Sequence, residues 1–345
     1  MYYCKSPDLI KEFPEAMDGN LKGLLTWASY ASQNLYNDKN TLEHLQKFSD
    51  FYYYASKYDT FSSITNFSKL PNMFFILGAG RSGTTLLKRI MNCHSLTSCL
   101  DEGRVYHGIN NPILMKLQLI FESKKKWMGL KAPALTDCLL SDNFREFPIP
   151  NFEPNLAEKF RNFYSNQPII FLFRDVRDRV ASVINLGKKT GVDLKGLEKV
   201  FEEWIKVNPY IQKTFSEEFS KIKKFKEKIY AYEALDWKIK NSALFTYKAR
   251  GYPILAIKYE ELVSNPEQSL RKITSFLEIP FEDTLLDFYK MPHPGLRSPG
   301  LENNFDSTTR GFDSNSIGLH KKYLSSKNVN EIMEIASDTM NELNY

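Results

Sequence analysis

The chain is poor in cysteine and histidine and has no long apolar run. Its 345 residues include 4 cysteines and 5 histidines. Cys4, Cys93, Cys99 and Cys138 show no C-x-x-C spacing and no companion histidines, which argues against both a zinc site and a disulfide framework. No apolar stretch approaches the roughly 18 residues needed to cross a bilayer. The start, Met-Tyr-Tyr-Cys-Lys-Ser-Pro-Asp, lacks the basic, apolar and small-residue succession of a secretory signal. The expectation is a soluble, cytoplasmic protein with no metal and no membrane partner. A strong excess of one charge is also missing: 46 Lys and Arg against 41 Asp and Glu leave +5. That balance suits an anionic ligand but not nucleic acid, because the lysines are scattered. The densest basic run, Lys221 to Lys228, reads as a solvated helix face.

At this length one large α/β domain with a helical appendage is expected. Residues 1–70 form the appendage: Leu21, Leu24, Leu25 and Ala28 recur at the spacing of one helix face. The cluster Phe51 to Tyr54 reads as packing. The domain proper, 71–345, opens with Met73-Phe-Phe-Ile-Leu77, an apolar run suited to a parallel strand buried on both faces. A helix over 84–92, strands over 96–100, 127–130 and 168–173, and a helix from Val176 follow. A long helical region spans 193–249, a last strand 253–257, and helices return from Pro266. Alternating strands and helices predict an open, mostly parallel central sheet flanked by helices, of the P-loop-like kind. The Pro, Gly, Asn and Ser-rich stretch 291–316 reads as a long functional loop.

Gly78-Ala-Gly-Arg-Ser-Gly-Thr-Thr85 lies between a strand and a helix, where backbone N–H groups converge on anions. Three readings fit it. As G-x-G-x-x-G it matches the dinucleotide fingerprint of a flavin or nicotinamide oxidoreductase, with Asp101 and Glu102 near the ribose-acid spacing. As G-x-x-x-x-G it has the length of the nucleotide-triphosphate loop, but Thr84 stands where that loop needs lysine. As a phosphosulfate loop it offers Arg81 as cation and Ser82, Gly83, Thr84 and Thr85 as donors. The loop alone does not choose among these.

A second element does. Arg174 ends the strand Phe171-Leu-Phe, and Ser182 follows two helical turns later. Ligands of open α/β sheets bind outside the carboxyl ends of the strands, so a second anion element there implies a ligand with two separate phosphate groups. Phe75 to Leu86 resembles the 5′-phosphosulfate loop of sulfotransferases that use 3′-phosphoadenosine 5′-phosphosulfate (PAPS), and Arg174 with Ser182 resembles their 3′-phosphate site. Tyr259-Glu-Glu-Leu-Val-Ser-Asn-Pro266 is similar to the family's YE-x-L-x-x-x-P stretch. The motif layout is nearest the tyrosylprotein and bacterial small-molecule branches. Cys99-Leu-Asp-Glu-Gly-Arg-Val105 is similar to the tyrosylprotein enzymes' C-G-E-E-T-R segment, and Gly129-Leu-Lys-Ala-Pro133 to the one carrying a catalytic lysine.

The resemblance implies a PAPS-dependent transferase in which Glu102 is the acceptor base and Lys131 and Arg81 stabilise charge on the sulfuryl group. Ser82, Gly83, Thr84 and Thr85 would hold the 5′-phosphate, Arg174 and Ser182 the 3′-phosphate, and Tyr259 the nucleoside side. Asn315-Ser-Ile-Gly-Leu-His-Lys-Lys-Tyr323 resembles the family's G-x-W-K segment, which adds Ser316, Gly318 and Lys321. His320 replaces its tryptophan. Ser314 is a further donor, and Arg310 qualifies by charge alone. Against these stand an ion pair of Glu102 with Arg104, a surface role for Lys131, and His107 or His94 as rival bases, with His94 read as a helix cap. The expected partner is a small-molecule acceptor, in a natural-product tailoring role. The acidic pair Asp101 and Glu102 favours a cationic compound, of which a saxitoxin-type alkaloid is one example. Protein tyrosine is the alternative acceptor.

Overall fold

The computed structural model describes residues 72–100, 102, 105, 125–137, 140, 167–290 and 311–345. Residues 1–70, read as a helical extension, lie outside them. By compactness the chain divides into residues 1–72 with 111–126 and residues 73–110 with 127–345; the elements below belong to the second unit, whose first strand begins at the boundary.

In chain order they are β1 (Asn72–Gly78), α1 (Thr84–Asn92), β2 (Thr97–Leu100), β3 (Trp127–Lys131), β4 (Ile169–Phe173), α2 (Val176–Thr190), α3 (Leu194–Lys206), α4 (Pro209–Thr214), α5 (Ser216–Ile222), α6 (Ile229–Ala249), β5 (Ile254–Lys258), α7 (Tyr259–Ser264), α8 (Pro266–Phe276), α9 (His320–Tyr323) and α10 (Ser326–Glu342). The five strands form one sheet in the order β2-β3-β1-β4-β5. The pairs β2–β3, β1–β4 and β4–β5 are parallel. The expected open, mostly parallel sheet with flanking helices is what forms.

Burial explains the strand composition. Every residue of β4 is buried, and β1 is buried from Phe74 onward. Phe74, Ile76, Ile170 and Leu172 join one core with Leu87 and Ile90 of α1 and Leu270 and Ile273 of α8. Successive side chains of a strand point to opposite faces, so Phe75, Leu77 and Phe171 serve the other side. Each such side chain contributes about 1.5–3 kcal/mol on burial. Helix α6 is buried along most of its length and has no continuous polar face. It packs against α2, α3 and α10.

The expected helical region 193–249 is four helices. Pro209 opens α4 at its first position, and Phe215 separates α4 from α5. Helix α5 ends at Ile222, so the exposed Lys223, Lys224 and Lys226 lie on the connection to α6. The basic run is therefore mostly a turn, not a helix face. No helix among the described residues is long and apolar enough to cross a membrane.

The strand order reverses at β1: the chain moves to β2 and β3 on one side, then to β4 and β5 on the other. That reversal opens a crevice at the carboxyl ends of β1 and β4. Thr136 Oγ accepts from the Gly78 N–H at 2.9 Å and donates to the Gly78 carbonyl at 3.1 Å, closing β1 where sheet pairing stops. Gly78 has φ 136°, and a Cβ there would sit 2.0 Å from the Leu172 carbonyl oxygen. Gly78→Ala should cost about 3 kcal/mol or more. Denaturant unfolding would show it; a variant as stable as its parent would refute the close approach.

Candidate functional site

The loop between β1 and α1 is held open by its neighbours. Arg81 is in the left-handed region at φ 67°, and Gly83 at φ 94°. Two consecutive loop carbonyls are tied by arginines from the β4–α2 segment: Arg179 Nε donates to the Gly80 oxygen at 3.2 Å, and Arg174 Nη1 to the Arg81 oxygen at 3.1 Å. A loop that binds an anion must turn its carbonyls away and present N–H groups. Helix α1 starts on Gly83 with no side-chain cap and no acid in its first turn. Helix α2, in contrast, is capped by Asp175, which accepts from the Arg177 N–H, and carries Asp178 in its first turn. Of these two helices at the crevice, α1 has the bare positive end that attracts an anion.

The two expected anion elements meet. Arg81 Nε donates to Ser182 Oγ at 3.2 Å, across the crevice from β1 to α2. Burial, and next the charge of Arg174, hold the Arg81 guanidinium below its usual range. Arg174 is 4% exposed, and its Nη2 donates to the Ser316 carbonyl at 2.5 Å. Its guanidinium lies 4.6 Å from the Tyr259 ring centroid. Among the described residues no carboxylate pairs with Arg81 or Arg174. Arg174 Nε and Ser82 Oγ are buried without a hydrogen-bond partner. Buried donors are almost always satisfied, so these orphans fit a ligand with anionic oxygens.

Tyr259, the first residue after β5, joins three parts of this site. Its ring edge fills the space a Cβ on Gly83 would need, at 2.5 Å. Its face carries Arg174, and its hydroxyl is 2.7 Å from Ser316 Oγ. The segment after Ser316 is fixed by Asp178, a buried residue that the sequence reading missed. Asp178 accepts from the Gly318 N–H at 2.7 Å and the His320 N–H at 2.9 Å, and its carboxylate lies 2.6 Å from His320 Nδ1. Gly318 is thus not a free phosphate donor: its N–H already has a carboxylate. The position where the family motif has tryptophan is here a histidine on that same carboxylate. Lys321 is exposed on α9, and Ser314 is exposed in the turn before Ser316.

Lys131 and Glu102 are brought together. Strand β3 runs one residue past its expected end, which puts Lys131 at the strand terminus. Lys131 Nζ lies 2.7 Å from Glu102 Oε1, with the Lys131 side chain 9% exposed and that of Glu102 42%. Lys131 is therefore buried and not a surface lysine. Thr84 is buried and Thr85 half-buried at the start of α1. His94 is fully buried, with Nε2 2.7 Å from the Pro280 carbonyl and Nδ1 accepting from Leu96 N–H. Its backbone N–H caps the Met91 carbonyl of α1 at 3.2 Å, and its ring serves the Pro280 and Leu96 backbone. Asp101, Arg104, His107 and Arg310 lie outside the described residues.

A buried ionic cluster also escaped the sequence reading. Arg179 binds Glu233 and, at 2.6 Å, Asp236. Lys240 lies 3.6 Å from Asp236 and 3.1 Å from Asp137. Burial pushes the Glu233 and Asp137 carboxyls up. The signal was available: Glu233, Asp236 and Lys240 interrupt a helix that otherwise has no polar face. Beside this cluster lies a cavity of about 300 Å³ lined by Glu102, Gly80, Pro133, Phe201, Glu233 and Asp236, among others. No group of His, Cys, Asp and Glu suited to a metal occurs among the described residues.

Two cationic elements, at Arg81 and Arg174, thus meet at the switch point of a parallel sheet. The sulfotransferase domain family model matches residues 155–344, more than half the sequence, and the chain belongs to that family. The match takes in Arg174, Ser182, Tyr259 and Ser316 and begins after the glycine loop. Protein-tyrosine sulfotransferase A of Caenorhabditis elegans is 23% identical over 269 residues, covering 73% of this chain and 61% of that protein. A Drosophila melanogaster protein-tyrosine sulfotransferase is 23% identical over 268 residues, covering 72% and 46%. The chain thus spans less than two thirds of these relatives' length. Among solved structures, the sulfotransferase domain from the curacin biosynthetic pathway is 16% identical with a TM-score of 0.44, covering 81% of this chain and 99% of that one. A Mycobacterium avium sulfotransferase is 10% identical with a TM-score of 0.47, covering 85% and 81%.

Because Asp178 is buried and accepts from the 318–320 segment, Asp178→Asn should destabilise the fold by about 1–3 kcal/mol. The amide would aim donors at groups that already donate. Unchanged stability would mean that Arg174 and Tyr259 hold the segment without it.

Proposed function

We propose that the protein transfers a sulfuryl group from PAPS to a hydroxyl or amine of a small-molecule acceptor. The observation that carries this is the cluster of Arg81, Arg174 and Ser182 around two orphaned buried donors, in a chain of the sulfotransferase domain family. Such a site needs a ligand with separated anionic groups, and PAPS carries a 5′-phosphosulfate and a 3′-phosphate. The bare N-terminus of α1, with Ser82, Gly83, Thr84 and Thr85, suits the first; Arg174, Ser182 and Ser316 suit the second. Tyr259 suits the nucleoside side.

In the reaction the acceptor oxygen or nitrogen attacks sulfur in line. A bond forms to sulfur, the bond from sulfur to the bridging oxygen breaks, and adenosine 3′,5′-bisphosphate leaves. Catalysis of this kind rests on positioning and charge stabilisation. Glu102 takes the acceptor proton. Lys131 holds one Glu102 oxygen in the resting site and leaves the other for that proton. As negative charge builds on the bridging oxygen, the ammonium gains a second partner there, and Arg81 stabilises the sulfuryl oxygens.

The cavity beside Glu102 supports an acceptor of modest size, since about 300 Å³ is at the small end of ligand pockets. Three carboxylates line it against the cations Arg179 and Lys240. This excess favours a cationic acceptor such as an amine or guanidinium compound. The curated relatives favour a second reading, with a protein tyrosine as acceptor.

Adenosine 3′,5′-bisphosphate should raise the melting temperature, whereas ATP and NAD should not. Glu102→Ala should lower turnover at least about a hundredfold while that nucleotide still binds; near-normal turnover would pass the base role to His107. A radiolabelled-PAPS screen over amines, phenols and tyrosine peptides reads the acceptor directly. Cationic compounds no better than neutral phenols would refute the charge argument, and transfer to peptides alone would establish the second reading.

A further inference from the structure

We propose that Arg179 is a positioning residue for the donor loop, held in place by Glu233 and Asp236 of α6. The inference rests on the reading of the glycine loop as the site of the donor 5′-phosphosulfate.

The Arg179 side chain is 5% exposed, and its three nitrogens have fixed tasks. Nη1 donates to the Glu233 carbonyl at 2.8 Å and to the Glu233 carboxylate. Nη2 donates to Asp236 Oδ2 at 2.6 Å. With the far edge of the planar fork pinned, Nε has one direction left, and it donates to the Gly80 carbonyl. Gly80 precedes Arg81, whose left-handed backbone reverses the next peptide. Fixing the Gly80 carbonyl outward therefore sets how the following residues face the anion.

The same cluster reaches the loop a second time. Asp236 neighbours Lys240, Lys240 binds Asp137, and Asp137 follows Thr136, which holds both polar groups of the Gly78 backbone. Gly78 and Gly80, at the entry and the shoulder of the loop, are thus tied to one buried polar chain. Stability alone does not account for this arrangement. Buried ion clusters add little net stability over apolar side chains of similar size, and here three carboxylates face two cations. A lysine at 179 could not perform all three tasks, because an ammonium is a point charge without the guanidinium's rigid fork.

The test uses the full chain and calorimetric binding of adenosine 3′,5′-bisphosphate, which needs no acceptor. The triple variant Arg179→Met, Glu233→Gln, Asp236→Asn removes one positive and two negative charges and leaves the neutral Lys240–Asp137 pair. It should melt near the wild type but bind the nucleotide about tenfold more weakly. Arg179→Lys keeps a charge between the two carboxylates without the Nε donor. It should show a similar loss, with donor KM rising more than kcat falls. Wild-type affinity in either folded variant overturns the inference and leaves the functional reading intact. Failure of the wild-type protein to bind the nucleotide overturns both.

Discussion

Three arginines converge on one crevice, and among the described residues only one of them has carboxylate partners. Arg179 is neutralised by Glu233 and Asp236, whereas the half-buried Arg81 and the buried Arg174 have carbonyl, hydroxyl and ring neighbours. The charge of Arg174 disfavours the charged form of Arg81, because like charges repel in a poorly screened interior. A fold keeps such an arrangement only when something offsets it. Here the Tyr259 face and the Ser316 carbonyl offset it in part, and a bound anion would offset the rest. The sheet, the loop and the C-terminal segment can all be understood as means of keeping that pair of cations together.

The sheet does this through strand order. Because the chain leaves β1 in one direction and β4 in the other, the loops behind these two strands diverge and leave space between them. Arg81 comes from one loop and Arg174 from the other. Neither would be tolerated in a sheet interior, but both sit where backbone hydrogen bonding between β1 and β4 has ended. The close pass of Gly78 over the Leu172 carbonyl is the geometric cost of bringing the loops so near. Asp178 then recruits the 318–320 segment from far along the chain, and Ser316 reaches Arg174 and Tyr259 as a result.

Much of this was legible in the sequence. The apolar runs of β1 and β4 identified their strands, because strands buried on both faces read as continuous hydrophobic stretches. The glycine loop, Arg174, Ser182 and Tyr259 were visible as motifs, and the fold does gather them. Lys131 and Glu102 were visible only through resemblance, since nothing local in 129–133 marks a lysine at a strand end. What stayed hidden depends on partners distant in the chain. Asp178 looks like an ordinary first-turn acid until Gly318 and His320 arrive. Arg179 looks like one more charge in Arg174-Asp-Val-Arg-Asp-Arg179 until α6 supplies Glu233 and Asp236. Gly318 matched a motif, but no pattern reveals that its N–H is already engaged.

The charges around the cavity connect the two halves of the proposed chemistry. Glu102, Asp137, Glu233 and Asp236 stand against Lys131, Arg179 and Lys240, so the paired groups on the acceptor side sum to one negative charge. On the donor side Arg81 and Arg174 sum to two positive charges. Burial on the acceptor side raises Glu233 and Asp137, and Arg179 and Lys240 offset that only in part. The protein thus separates an electropositive crevice from an acidic cavity across the thickness of one loop. Arg179 sits on that boundary, lining the cavity with its partners and holding the loop by Gly80. A polyanionic donor and a cationic acceptor would each find its own side. The transferred group would cross between them where Glu102 and Lys131 meet.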